Sequence, residues 1–173
     1  MIKKAFTLAT LSLALTTGFM AQQQQKPEGQ MSQHKMDEMN RRGDQAMGFD
    51  HLKTTHHFIL KNDGGAIRVE ANDAGDVQTR DQIRMHLSHI AMMFRDGNFE
   101  TPMLVHGESP AGVETMSRLK ADIKYQYEEI DRGASVRIST TNAEALKAIH
   151  DFLRYQIKEH KTGDPLVVTK DIN

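Results

Sequence analysis

GAIRVEAND, residues 65–73, returns as GASVRISTTN at residues 133–142 with one insertion. In the first copy Ile67, Val69 and Ala71 alternate with Arg68 and Glu70, the period-two pattern of a strand with one covered face. Upstream, Phe58 and Leu60 alternate with Ile59 and Lys61, and Asn62-Asp63-Gly64-Gly65 supplies a tight turn, so residues 56–71 read as a β-hairpin. The second copy has the same preface. Ile123, Tyr125 and Tyr127 alternate with Lys124, Gln126 and Glu128, Asp131-Arg132-Gly133 turns, and Val136 and Ile138 continue the alternation.

A helix follows each hairpin. Thr79-x-x-Gln82 and Thr141-x-x-Glu144 both have the form of a capping box. The first helix reads DQIRMHLSHIAMMFRDGN, residues 81–98, with Ile83, Leu87, Ile90 and Phe94 in one narrow stripe and Gly97 as terminator. The second runs to about Lys161 with Leu146, Ile149, Leu153 and Ile157 as its stripe, and Gly163 and Pro165 end it. The expected fold is α+β: two ββα units forming an antiparallel sheet with two helices packed on one face. Between the units, Met103-Leu104-Val105 is a short apolar run. Residues 107–112 form a loop, Val113, Met116 and Leu119 suggest a short helix, and Pro165 to Val168 suggests an edge strand.

The chain ahead of the first hairpin differs in composition. Lys3 and Lys4 precede an apolar stretch from Ala5 to Met20, the pattern of an export signal over residues 1–21, with cleavage between Gly18 and Gln22. The expected destination is the periplasm or the extracellular medium, and the expected division is a signal peptide at 1–21, a disordered Met/His-rich leader at 22–54 and a single α+β domain at 55–173. The signal is too short for a stable span, and no other membrane-spanning segment is expected.

Composition excludes several functions. Net charge is −1 over 173 residues, aromatics make up 6% and Trp is absent, so neither a phosphate backbone nor stacked bases are expected partners. No Cys is present, which removes disulfides, thiolate ligands and thiol nucleophiles. No G-x-S-x-G, phosphate-loop, dinucleotide or His-Glu-x-x-His motif occurs. What remains is nine His and eleven Met, the ligand set left for copper in an oxidising compartment, with zinc possible through imidazole.

Their positions suggest where an ion would sit. On the helix of residues 81–98, His86, His89, Met93, Met85 and Met92 share a sector about 120° wide beside the apolar stripe. His86 and His89 stand at i and i+3, and Met93 follows four residues on. The connection after this helix is expected to fold back and bring Met103, His106 or Met116 near His89 and Met93. In the first strand His56 and His57 point to opposite faces, so only one can turn to the helix. His150, inside the apolar stripe of the last helix, reads first as a core histidine bonded to a carbonyl and otherwise as a ligand approaching His86. His160 reads as a partner of the helix dipole. From Met31 to His57 the chain holds Met31, His34, Met36, Met39, Met47, His51, His56 and His57, and pairs such as His34/Met36 and Met36/Met39 resemble the short Met- and His-spaced stretches of secreted copper-handling proteins; the other reading is a solvated linker whose Met residues dock on the core.

The candidate metal ligands are therefore His86, His89, Met93, His106, His150 and His56. The expected role is metal binding, copper before zinc, for sequestration or delivery and without catalysis. The alternative is a metal-free module of the cell envelope in which the Met/His flank contacts a ligand or a protein partner. A metal-dependent hydrolase would need a carboxylate and an open coordination position that the sequence does not identify.

Overall fold

The computed structural model describes residues 28–168, with side chains described from Gln33 onward, so the expected signal peptide lies outside the described residues. The elements are α1 (Glu28–Met47), a 3-10 turn (His51–Lys53), β1 (Thr54–Lys61), β2 (Gly64–Ala71), α2 (Val77–Arg95), α3 (Glu100–His106), α4 (Val113–Arg118), a second 3-10 turn (Lys120–Asp122), β3 (Ile123–Ile130), β4 (Gly133–Thr140) and α5 (Ala143–His160). Among the described residues no helix is long and apolar enough to cross a membrane.

The four strands form one antiparallel sheet in the order β1-β2-β4-β3, with both long helices on one face. Phe58, Leu60, Ile67, Val69, Ala134, Val136, Ile138 and Tyr125 point into the layer between sheet and helices, where they meet Ile83, Leu87, Phe94, Ile149 and Leu153. Each helix crosses over to the other hairpin. α2, which follows β2, lies on β3 and β4, and α5 lies mainly on β1 and β2.

The register makes the duplication concrete. β1 and β3 match residue for residue from Thr54/Ile123 to Lys61/Ile130, and β2 and β4 match from Gly64/Gly133 to Ala71/Thr140. In the central ladder Gly64 pairs with Ser139 and Glu70 with Gly133, so the two copies exchange partners about the pair Ile67 and Val136. Gly133 therefore corresponds to Gly64, not to Gly65, and the insertion expected from the sequence disappears: Arg68 matches Arg137. The two matched glycines do one job. A Cβ on Gly64 would sit 2.1 Å from the Ile138 carbonyl oxygen, and a Cβ on Gly133 would sit 2.1 Å from that of Val69.

Several local expectations are corrected. Neither Thr79 nor Thr141 is a helix cap. Asp76 caps α2 by accepting from the Thr79 backbone N–H at 3.0 Å, and Asn142 caps α5 by accepting from Glu144 and Ala145. A side-chain oxygen one residue from the start of the amide row reaches those donors directly, whereas Thr79 already lies inside the helix and gives its hydroxyl proton to Asp76. α5 ends on Lys161 in the left-handed region, ahead of Gly163. Residues 165–168 form no strand. Instead Asp164 accepts the backbone N–H of Phe58 at 2.9 Å, covering a donor on edge strand β1.

The largest correction concerns the stretch expected as a disordered leader, 22–54. Residues 28–47 form α1, which packs on α3. Its spacing explains this: Met36, Met39, Gly43 and Met47 fall on one face, Met39 is 3% exposed, and Arg42 donates to the Val105 carbonyl at 2.9 Å. The thioethers do dock on the core, as one of their two readings expected, but as one face of a helix and not as a disordered linker.

Candidate functional site

One end of the layer between sheet and helices is not filled. A cavity of about 560 Å3, counting its open mouth, is walled by Phe58, Ile67, Val69, Leu87, Ile90 and Phe152, and four imidazoles enter it from four elements. His56 comes from the inward face of β1, His86 from α2, His106 from the end of α3 and His160 from the end of α5, while Met47 closes the α1 side.

The rings touch in sequence. His86 meets Phe49 edge-on at 5.7 Å, Phe49 stacks on His56 at 6.3 Å, His56 lies nearly parallel to His160 at 6.1 Å, and His160 meets His106 edge-on at 5.0 Å. His106 is the deepest, at 5% exposure. Its Nε2 lies 3.0 Å from Oε1 of Gln156, itself buried on α5. A carbonyl oxygen only accepts, so Nε2 carries the proton and Nδ1 keeps its lone pair. That Nδ1 is buried with no hydrogen-bond partner, and so is Nε2 of Gln156.

Burial sets the charge state. It pushes His56 down to about 4, helped by the nearby rings of His86, His51 and His57. It pushes His86 down to about 4, with His89 adding to the effect, and His160 down to about 3, with His106 and His56 adding. His106 is also lowered by burial, against the opposing pull of its bond to Gln156 and of Glu159 and Glu108. At neutral pH all four are uncharged imidazoles, the form in which histidine binds a metal or accepts a proton.

The expected ligands thus divide. His56, His86 and His106 share the cavity. His89 is exposed, as are Met85 and Met92. Met93 packs against the core and accepts a hydrogen bond from Thr101 Oγ1 at 3.7 Å. His150 gives its Nε2 proton to the carbonyls of Lys61 and Gly64 at 2.9 and 3.0 Å, which ties α5 to the β1–β2 turn, as its first reading expected. The segment after α2 does fold back, but it delivers His106 to α5, not to His89. Met116 goes into the core and Met103 stays exposed. α1 causes this by holding α3 through Arg42.

Sequence reasoning passes over Gln156, gives His160 to the helix dipole and gives Met47 to the leader. A signal for two of them existed: Gln156 and His160, four apart, continue the buried stripe of Ile149 and Leu153, where a polar residue is costly unless used.

The duplication sharpens the contrast. Matching the caps Asp76 and Asn142 places His86 opposite Phe152, Ile90 opposite Gln156 and Phe94 opposite His160, while the strand match places His56 opposite Tyr125. In the other half of the molecule these positions form an aromatic cluster: Phe94 meets Tyr125 at 5.9 Å, Phe152 at 5.9 Å and Phe99 at 4.3 Å. The cluster borders the cavity, whose lining includes Phe94 and Phe152, so imidazoles stand where the matched positions carry aromatic rings.

Outside the cavity, Asp44, Asp50 and His51 are the one trio among the described residues whose possible ligand atoms lie within 4.8 Å of one another. No three of the cavity histidines bring ring nitrogens within that distance of one another. Asp44 accepts from the His51 backbone N–H at 2.8 Å and from its Nδ1 at 2.9 Å, and Asp50 caps the 3-10 turn. A scan against protein-family models and searches of curated proteins and of solved structures returned no match to this chain.

Proposed function

We propose that the protein binds a transition-metal ion, copper before zinc, in the cavity lined by His56, His86, His106 and His160, and that it sequesters or delivers that ion outside the cytoplasm. The observation that carries this reading is the unpartnered Nδ1 of buried His106, whose opposite nitrogen is held by Gln156. A histidine ligand is ordinarily oriented in this way, with the far N–H given to an oxygen and the near lone pair aimed at the ion. His160 and His56 are the nearest companions, and the Met47 thioether at the wall favours a soft ion.

No carboxylate lines the cavity, so a bound ion there would lack the general base that hydrolysis uses. Storage or transfer fits this lining better than catalysis. The export expected for residues 1–21 is consistent with a cysteine-free ligand set.

A second reading is favoured by the walls themselves. Phe58, Ile67, Val69, Leu87, Ile90 and Phe152 would suit the apolar body of a small organic ligand, with His106 Nδ1 and Gln156 Nε2 reading its polar group. Equilibrium dialysis of the tag-free chain against copper, zinc and nickel separately, followed by metal analysis, divides the two. Bound metal that disappears on His106→Ala supports the first reading. Absence of bound metal under every condition removes it and leaves the second.

A further inference from the structure

A second recess adjoins the cavity and shares Met47, His56 and His160 with it as common wall. Its other lining is Met39, Asn40, Gly43, His51, Thr54, Thr55 and Thr162, and it opens where Thr55 and Asn40 reach solvent. His51 stands in this recess in a prepared orientation. Its Nδ1 lies 2.9 and 3.0 Å from the two oxygens of Asp44, so Nδ1 carries a proton and Nε2 is the nitrogen left for a ligand. The Asp50 carboxylate is 3.9 Å from the same ring and half-exposed, and with Asp44 it borders a neighbouring groove, so negative charge stands beside His51 and the recess itself offers soft, uncharged groups.

We propose that this recess is the inlet of the cavity, with His51, oriented by Asp44, as the first ligand to capture a copper ion and Met47 as the bridge to His56 and His160. The proposal rests on the metal-binding reading above. Its chemistry is a gradient. Carboxylates attract a hydrated cation, one imidazole replaces part of its water, and a thioether and two further imidazoles take it inward without a charged group to hold it back. It gives the Met face of α1 a role that burial of Met39 alone does not. His51 is a positioning and transfer residue: it governs how fast the ion arrives, not how much is held at equilibrium.

Tyrosine emission reports arrival, because Trp is absent and Tyr155 lies 5.0 Å from His106 at the inner end. Stopped-flow mixing of the tag-free chain with Cu(II) measures the quenching rate, and dialysis measures copper bound. His51→Ala is expected to slow quenching about tenfold with bound copper and final quenching unchanged. Asp44→Ala, which frees the ring, slows it as well. His57→Gln, on the opposite face of the sheet, leaves the rate as it was. A His51→Ala rate equal to wild type overturns the inlet while leaving the cavity site standing. Loss of bound copper in His51→Ala also overturns it, since His51 would then belong to the resident site. Equal slowing in His57→Gln overturns it as a surface-charge effect. A wild-type chain that takes up no copper refutes the cavity reading and the inlet with it.

Discussion

His106 and Gln156 face each other across 3.0 Å at the floor of the cavity, and each keeps one buried polar atom without a partner. Such atoms cost about 1–3 kcal/mol apiece in an interior. Gln156→Leu removes the orienting oxygen, and it exchanges the Gln156 Nε2 orphan for an unpaired His106 Nε2 proton. Metal affinity is expected to fall about 10- to 100-fold by chelator competition, while the midpoint of thermal unfolding stays near wild type. Unchanged affinity would detach Gln156 from the site.

The aromatic half of the molecule provides a design for the other half. His160→Phe with His56→Tyr copies Phe94 and Tyr125 into the matched positions and fills part of the cavity with hydrocarbon. The double variant is expected to gain about 1–3 kcal/mol in urea unfolding and to lose metal binding. A destabilised variant that still binds metal would mean the imidazoles are packing groups.

Acid should weaken the fold. The folded chain holds His56 and His86 at about 4 and His160 at about 3, all below the ordinary 6.5 of an unfolded chain. Above about pH 6.5 both states are neutral and stability is complete. As pH falls from there toward about 4, the unfolded chain takes protons that the folded one refuses. Stability then drops, by a few kcal/mol on the order expected for shifts of this size. Urea midpoints measured across this range should decline, and less steeply in the His160→Phe, His56→Tyr variant. A flat profile in both would show that these rings are not held neutral.

The close approach of β2 and β4 depends on two glycines, of which Gly64 also has a positive φ. Gly64→Ala and Gly133→Ala each place a methyl 2.1 Å from a carbonyl oxygen, so each should cost more than about 2 kcal/mol in chemical unfolding. The loss at Gly64, whose φ of +147° adds backbone strain, should exceed that at Gly133; a mild effect at either site would contradict the close approach.

The fold was largely legible because its signals are local. Alternation gave both hairpins, and the stripe from Ile83 to Phe94 gave α2. Capping was misassigned by a few residues because Thr79 and Thr141 mimic caps that Asp76 and Asn142 supply. The site was half legible. His56, His86 and His106 were singled out by residue type, but a helical wheel cannot tell which side of the sector meets another element, so His89 and Met93 looked equal to His86. His160 and Gln156 needed the crossing of α5 over β1, a relation between residues far apart in the chain. α1 was hidden because methionine serves equally as a ligand and as a core residue.

Copper bound per chain, measured on tag-free wild type, His106→Ala/His160→Ala and His89→Ala, tests the central claim most directly. The account predicts about one ion per chain in wild type and His89→Ala and almost none in the double variant. Copper retained by the double variant, or lost from His89→Ala alone, would contradict it.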